Sequence, residues 1–166
     1  MKLVPLPYKW VGNCPYEDEL REALALWDST PYAPDQQCAQ VGVDCVRFVC
    51  AIMDQISGRS TNPRTLPQDA AMHDRAGAVA CMKQIMTLYK PIKPLGPHYP
   101  YVRGGDVLIV GRRTGGPGHA MIVGPDQNTI WHATFPRVQR TGMYLDNDHK
   151  VFRVYRYDWE GDHGRG

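Results

Sequence analysis

The clearest pattern of apolar and polar positions begins at Cys45. Five apolar residues follow it at the spacing of one helix face: Phe48, Val49, Ile52, Met53 and Ile56. Gly42 and Asp44 precede the run, and Ser57-Gly58 has the composition of a helix C-terminus. This arrangement predicts a buried helix that carries Cys45 in its first turn.

Two other segments show helical periodicity. Between Glu17 and Asp28, one face collects four apolar residues, and the first turn is acidic: Leu20, Ala23, Leu24 and Trp27. Acidic residues suit the positive end of a helix, so this segment is predicted to be an amphipathic helix. Residues 68–88 are also predicted to be helical, with a break or kink at Gly77.

The second half of the chain has the shorter apolar runs of β-strands. Candidate strands are Asp106–Val110, His119–Val123, Thr129–Ala133 and Val151–Tyr157. Glycine and proline clusters separate them, and residues 90–100 contain enough proline to predict a loop. Helices followed by strands on short connections predict an α+β fold, with the Cys45 helix packed on an antiparallel sheet.

One domain is expected from a length of 166 residues. Residues 1–15 contain several prolines and are predicted to form an extended N-terminal arm, residues 16–158 the domain, and residues 159–166 a frayed tail. The start of the chain lacks the apolar stretch of a signal peptide. A net charge of +2 gives no basis for nucleic-acid binding, and no run has the length of a membrane span.

The five cysteines are odd in number and irregular in spacing. No Cys-x-x-Cys pair occurs, so we expect neither a structural zinc site nor a disulfide framework, and most thiols are interpreted as reduced. No cofactor and no metal are predicted.

Cys45 is the candidate nucleophile, because a thiol at a helix N-terminus feels the positive end of the helix dipole. A thiol peptidase also needs a base and a group that orients the base. His119 opens a predicted strand after a glycine-rich turn, and His132 lies on the next strand if 125–128 is a hairpin connection. Facing side chains on adjacent strands are about 5 Å apart, within reach of a hydrogen bond. The alternatives are a packed buried cysteine and two structural histidines.

These residues belong to an ordered set of motifs that resembles the NlpC family of papain-like cysteine peptidases. The set is Thr30-Pro31-Tyr32, Gly42-Val43-Asp44-Cys45, Pro63-Arg64-Thr65, Gly105-Asp106-Val107-Leu108, His119-Ala120-Met121-Ile122-Val123-Gly124 and His132-Ala133. The resemblance implies catalysis by Cys45, His119 and His132. It also implies that Tyr32 and Asp44 help to bind the free amino group of a substrate. A packed aromatic and a helix cap are the alternatives for these two.

The chain departs from the family pattern directly after the cysteine, where Val46-Arg47 replaces the usual Ser-Gly. The Gly-Gly that usually follows Thr-Pro-Tyr is also missing. Both changes lie next to the candidate site, so they bear on substrate preference more than on the reaction.

The resemblance implies a cysteine endopeptidase that hydrolyses peptidoglycan stem peptides, of the γ-D-glutamyl-diamino acid type. Without a signal peptide, it is most similar to peptidases carried in the tails of phages and gene-transfer particles. It would then act in the periplasm or wall of the target cell and have tail or baseplate proteins as partners. Alternatives are an injected amidase toxin of the same superfamily and a tail structural subunit with a vestigial site.

Overall fold

The computed structural model describes residues 2–33, 36–58, 92–96 and 99–163. The helix predicted over 68–88 lies outside these ranges. The described helices are α1 (Glu17–Trp27), α2 (Cys45–Ser57) and α3 (Trp159–His163). The described strands are β1 (Leu3–Pro5), β2 (Lys9–Val11), β3 (Gln37–Cys38), β4 (Gly42–Val43), β5 (Ile92–Pro94), β6 (Tyr101–Arg103), β7 (Val107–Arg112), β8 (Gly116–Val123), β9 (Thr129–Thr134), β10 (Arg137–Gly142), β11 (Tyr144–Asp146) and β12 (His149–Tyr157).

The main sheet has the strand order β10-β9-β8-β7-β12-β5. All of its neighbouring strands are antiparallel, and β7 to β10 are joined in sequence as a meander. Helices α1 and α2 pack on each other, and α2 also packs on β8 and β9. The predicted α+β fold, with the Cys45 helix on an antiparallel sheet, is therefore confirmed.

Helix α2 has the bounds that the sequence predicts. Asp44 caps its N-terminus by accepting a hydrogen bond from the backbone N–H of Arg47, and Gly58 ends it with a φ of 70°. The apolar residues of α2 and α1 form the main core with the facing side of the sheet. Ala120 and Ala133 are the residues of that side next to the two candidate histidines. None of the described helices is long and apolar enough to cross a membrane.

The opposite side of the sheet is covered by the N-terminal segment. Strand β1 pairs with β11, and β2 pairs in parallel with β6. Leu6 is buried between these strands, in a second core that includes Met121, Ile130 and Met143. The segment predicted as an extended arm thus lies along the domain, with its backbone in two short sheets.

The motif Gly105-Asp106 joins the start of β7 to the end of β12. The Asp106 carboxylate is fully buried and accepts hydrogen bonds from Arg156 Nε at 3.0 Å and Arg156 Nη2 at 2.8 Å. Burial raises the pKa of Asp106, and the hydrogen bonds from Arg156 oppose that rise. Gly105 has a φ of 91°, and a Cβ there would lie 2.2 Å from the hydroxyl of Tyr16, so no larger residue fits.

Two predictions for irregular segments are wrong. Residues 90–100 contain strand β5, which pairs with β12 at the edge of the main sheet. An edge strand tolerates proline because one side of its backbone needs no partner strand. The tail predicted to fray begins with α3, because Trp159 packs on the Tyr16 ring at a centroid distance of 5.4 Å and on Tyr157 at 6.3 Å.

Candidate active site

His119 and His132 are joined by a side-chain hydrogen bond across two neighbouring strands. Nε2 of His119 lies 2.8 Å from Nδ1 of His132, and the two rings meet at 70°. Residues 125–128 form the tight connection predicted between these strands, closed by the Gly124 N–H donating to the Thr129 carbonyl at 2.8 Å. The connection sets the register in which Ile122 faces Trp131, which brings the two histidines within reach of each other.

His132 is held in its neutral form by its surroundings. Burial lowers its pKa from 6.5 to about 4, because a charged imidazolium loses hydration there. A neutral imidazole has one nitrogen that accepts a hydrogen bond and one that donates. His132 can therefore accept from His119 and keep that ring in one orientation at neutral pH.

The histidine pair lies on the side of the sheet that faces the N-terminal segment. Successive residues of a strand point to opposite sides, and Ala120 and Ala133 belong to the core shared with α2. His119 accordingly shares its side with Met121 of the second core. The β8–β9 ladder consists of the pairs Ile122–Trp131 and Val123–Ile130, and both histidines lie beyond these pairs.

A cavity of about 330 Å³ opens beside the pair. Val110 and Met121 supply apolar lining beside the two histidines, and Asp146 and His149 add polar lining. Leu3 of β1 and Tyr144 of β11 also line it, although their side chains are 59% and 53% exposed. The cavity thus has an apolar interior, two imidazoles in its wall and a rim built partly by the N-terminal strand.

Cys45 is the first residue of α2, within the first turn as predicted, and is 9% exposed. It belongs to the core between α2 and the sheet. Cys50 is completely buried on the same helix, and burial raises its pKa to about 12. Burial likewise raises the pKa of Cys14 to about 11. These two thiols stay protonated at neutral pH, so neither competes with Cys45 as a nucleophile.

Asp44 has the structural role that the sequence left open. Its Oδ1 accepts the backbone N–H of Arg47 at 2.8 Å, and its Oδ2 lies 2.6 Å from Arg47 Nη1. The side chain of Arg47 is fully buried and that of Asp44 is 10% exposed. The two residues form a buried ion pair inside the first turn of the candidate nucleophile helix. Sequence reasoning noted Arg47 only as a departure from a motif.

Tyr32 lies beside the segment that leads into α2. Its backbone forms a bridge with Val43, and its N–H donates to the Pro136 carbonyl at 2.9 Å. Its half-buried ring packs against the main core. Tyr32 is therefore anchored by its backbone to the segment that leads into α2, and its ring packs on the main core.

Asp146, Asp148 and His149 bring potential metal-ligand atoms within 4.8 Å of one another. These groups bond within the turn between β11 and β12. His149 Nδ1 lies 2.5 Å from Asp148 Oδ1, and the Asp148 N–H donates to Asp146 Oδ1 at 3.5 Å. We interpret the cluster as a hydrogen-bonded turn at the cavity edge. Spacing in the sequence could have indicated the turn, but not its position beside the cavity.

No family model matches the chain, and no curated protein matches it. Among solved structures, the chain is similar to the NlpC/p60 domain of the peptidoglycan hydrolase SagA. The TM-score is 0.44 and the sequence identity is 20%, over 76% of this chain and 88% of that domain.

Proposed function

We propose that the protein is a cysteine peptidase that hydrolyses stem peptides of bacterial peptidoglycan. Cys45 is the nucleophile, His119 the base and His132 the group that orients the base. The observation that carries this proposal is the 2.8 Å hydrogen bond between His119 and His132, because it joins the two strands on which the Cys45 helix packs. Base and orienter are thus a unit on the sheet, and Cys45 begins the helix that packs on the other side of the same two strands.

In the hydrogen-bonded pair, the two ring nitrogens of His119 have different roles. When His132 accepts through Nδ1, the proton of neutral His119 is on Nε2, so Nδ1 is the basic nitrogen. In the proposed reaction, Nδ1 takes the thiol proton and the Cys45 thiolate attacks the scissile carbonyl. This requires that the Cys45 thiol reach His119 in the middle of β8, beyond the two residue pairs of the β8–β9 ladder.

The remaining steps use groups at the same place. The first N–H groups of an α-helix are not used in its own ladder, so the backbone N–H of Cys45 is suited to stabilise the developing oxyanion. Protonated His119 then gives its proton to the leaving amine as the C–N bond breaks and a thioester forms. Water, deprotonated by His119, hydrolyses the thioester and releases the acid product and the free thiol.

The cavity is the proposed site for the leaving-group side of the substrate. His119 can protonate the leaving amine only if that nitrogen lies within hydrogen-bond reach of the ring. The residue that carries the amine must then lie beside His119, where the cavity opens. An aliphatic side chain suits its apolar interior, and a polar end suits the polar groups of Asp146 and His149 in its lining. A diamino acid, which the γ-D-glutamyl-diamino acid bond would supply, has this shape.

We also propose that an assembly such as a phage-like tail carries the protein to its target. The support is the resemblance of the motifs to those of tail peptidases. Tail or baseplate proteins would be the partners, and the target-cell wall or periplasm the place of action. Co-purification with tail components tests this part. Release from cells as a free protein with an intact N-terminus would contradict it.

The enzymatic proposal is tested by incubating the protein with purified muropeptides and identifying products by mass spectrometry. We expect new amino and carboxyl ends within the stem peptide, and none with Cys45→Ala. Cleavage of the amide between glycan and peptide would favour an amidase instead. Absence of products with every muropeptide would favour a structural subunit.

A further inference from the structure

A second cavity, of about 240 Å³, lies between the N-terminal segment and the start of β12. Arg113, His149 and Lys150 supply basic side chains to its lining, and residues 4–8 form another part of its wall. Among the residues that the structure describes, this lining includes no aspartate or glutamate. We call it the basic cavity. A concave surface lined by charges of one sign raises the local concentration of ligands of the opposite sign, so this cavity suits an anion.

The two permanent cations of the basic cavity are available to a ligand. Arg113 Nε donates to a backbone carbonyl at 3.1 Å, which leaves the other N–H groups of the guanidinium for a further acceptor. Within the described part of the chain, neither Arg113 nor Lys150 has a carboxylate at ion-pair distance. The Asp148 carboxylate is bonded to His149 Nδ1 instead. Both cations can therefore bind an anion without giving up an ion pair.

The basic cavity adjoins the cavity beside the histidine pair. Leu145 and His149 line both of them. Val110 lines the histidine cavity and Val151 lines the basic cavity, and these two valines are direct partners in the ladder between β7 and β12. Directly opposite residues of an antiparallel pair are only about 5 Å apart. A ligand longer than one amino-acid residue can therefore extend from one cavity into the other.

The order of groups along a peptide fits the two cavities. The amine that His119 protonates belongs to the carboxyl-terminal part of the substrate, so a leaving group in the histidine cavity continues toward its carboxyl end. Asp146 in the histidine cavity suits the side-chain amine of a diamino acid, whereas the basic cavity suits a carboxylate. The charges of the adjoining cavities thus match the two charged groups of a diamino acid at the end of a stem peptide.

We infer that the basic cavity binds the free carboxyl end of the leaving part of the stem peptide, through Arg113 and Lys150. This assignment rests on the proposed function and adds the substrate class: stem peptides whose carboxyl end is free. A cross-link that converts this carboxylate into an amide removes the charge that the cavity recognises. The enzyme therefore cleaves uncross-linked stems faster than stems whose carboxyl end is cross-linked.

The test compares two synthetic stem tripeptides that differ only in a carboxylate or a carboxamide at the carboxyl end. Their Kd values are measured by calorimetry with Cys45→Ala, and their kcat/KM values with the wild-type protein. We expect both measurements to favour the carboxylate about tenfold, equivalent to about 1.4 kcal/mol. A preference below about threefold would overturn the inference.

Variants identify the cations responsible. Arg113→Gln and Lys150→Gln each remove one charge at an exposed position, so both proteins should fold. Each should reduce the preference to about threefold, and the double variant to about one, if the two contacts contribute independently. Arg112→Gln is the matched control, because it removes the same charge from an exposed neighbour that is not among the residues lining either cavity. An equal loss of preference in Arg112→Gln would overturn the inference, since it would indicate a general effect of charge.

Binding and cleavage together separate this assignment from the proposed reaction. If Cys45→Ala binds the carboxylate peptide more tightly but the wild-type protein cleaves neither peptide, the proposed peptidase fails and the carboxylate site stands. Cleavage of both peptides with equal Kd values would overturn the carboxylate site alone. Binding of neither peptide would contradict both.

Discussion

His119 Nε2 and His132 Nδ1 lie 2.8 Å apart, on neighbouring strands that are joined by the tight connection over 125–128. Burial keeps His132 neutral, with a pKa of about 4, so it can accept a hydrogen bond from either form of His119. When His119 becomes an imidazolium, its Nε2 always carries a proton, and His132 must then accept. The pair is therefore suited to orient a base through a complete proton-transfer cycle.

The first prediction separates the base from its orienter. His119→Ala should reduce kcat about as much as Cys45→Ala, because members of a catalytic unit are not additive. His132→Asn should retain measurable activity, since an amide oxygen can accept the same hydrogen bond. Steady-state kinetics on a stem peptide measures both. His132→Asn that is folded yet as inactive as His119→Ala would show that His132 does more than orient the ring.

The second prediction concerns stability in mild acid. A histidine whose folded-state pKa is lowered binds protons more readily in the unfolded chain, so stability is full above pH 6.5 and falls as pH decreases from 6.5 toward 4. At pH 5, protonation of His132 in the unfolded chain should lower the free energy of unfolding by about 2 kcal/mol relative to pH 7. Urea unfolding at both pH values, compared between wild type and His132→Asn, measures this. Equal pH dependence in the two proteins would contradict the lowered pKa.

The third prediction distinguishes the two thiols of α2. Cys45→Ala should abolish turnover, whereas Cys50→Ala should keep it, because burial holds the Cys50 thiol protonated. Cys50→Ala should lower stability by about 1 kcal/mol through lost packing. Alkylation with iodoacetamide at pH 6, followed by peptide mapping, should modify Cys45 in preference to Cys50. If His119→Ala leaves the alkylation rate of Cys45 unchanged, the proposed contact between thiol and base is wrong.

The fourth prediction concerns the rim of the cavity. Leu3→Ser removes an apolar side chain that is 59% exposed, so we expect little loss of stability but a rise in KM of about three- to tenfold for substrates with an aliphatic leaving-group residue. Substrates with glycine at that position should be affected much less. Leu26→Ser is the matched control, because Leu26 is 51% exposed on α1. An equal change in KM in both variants would rule out a specific role for the N-terminal strand.

The sequence was most informative for elements whose stabilising residues lie close together in the chain. The apolar face of α2, the acid before it and its glycine end are all local, so the sequence predicts that the helix begins around Cys45 and ends near Ser57-Gly58. The same holds for the connection over 125–128, which determines the register of β8 and β9. The hydrogen bond between His119 and His132 was predicted from their placement on these two neighbouring strands.

Edge strands gave weaker signals. Strands β10 and β11 were not predicted, because many of their residues are exposed, and β5 was not predicted, because it pairs with the distant β12. The tail beyond residue 158 is polar in sequence, yet α3 forms where Trp159 meets Tyr16 from the start of the chain. Contacts between the two ends of a chain carry no local pattern, so periodicity cannot reveal them.

The sequence by itself thus determined the Cys45 helix, the central strands of the antiparallel sheet and the placement of His119 and His132 on two neighbouring strands, since each follows from local spacing. Only the tertiary structure decided that Asp44 is paired with a buried Arg47, that burial keeps His132 neutral, and that Leu3 of the N-terminal strand borders a cavity beside the histidines. Burial and ion pairing depend on how elements pack together. The sequence gives the charged and apolar residues, but tertiary packing determines which of them are buried and which residues they contact.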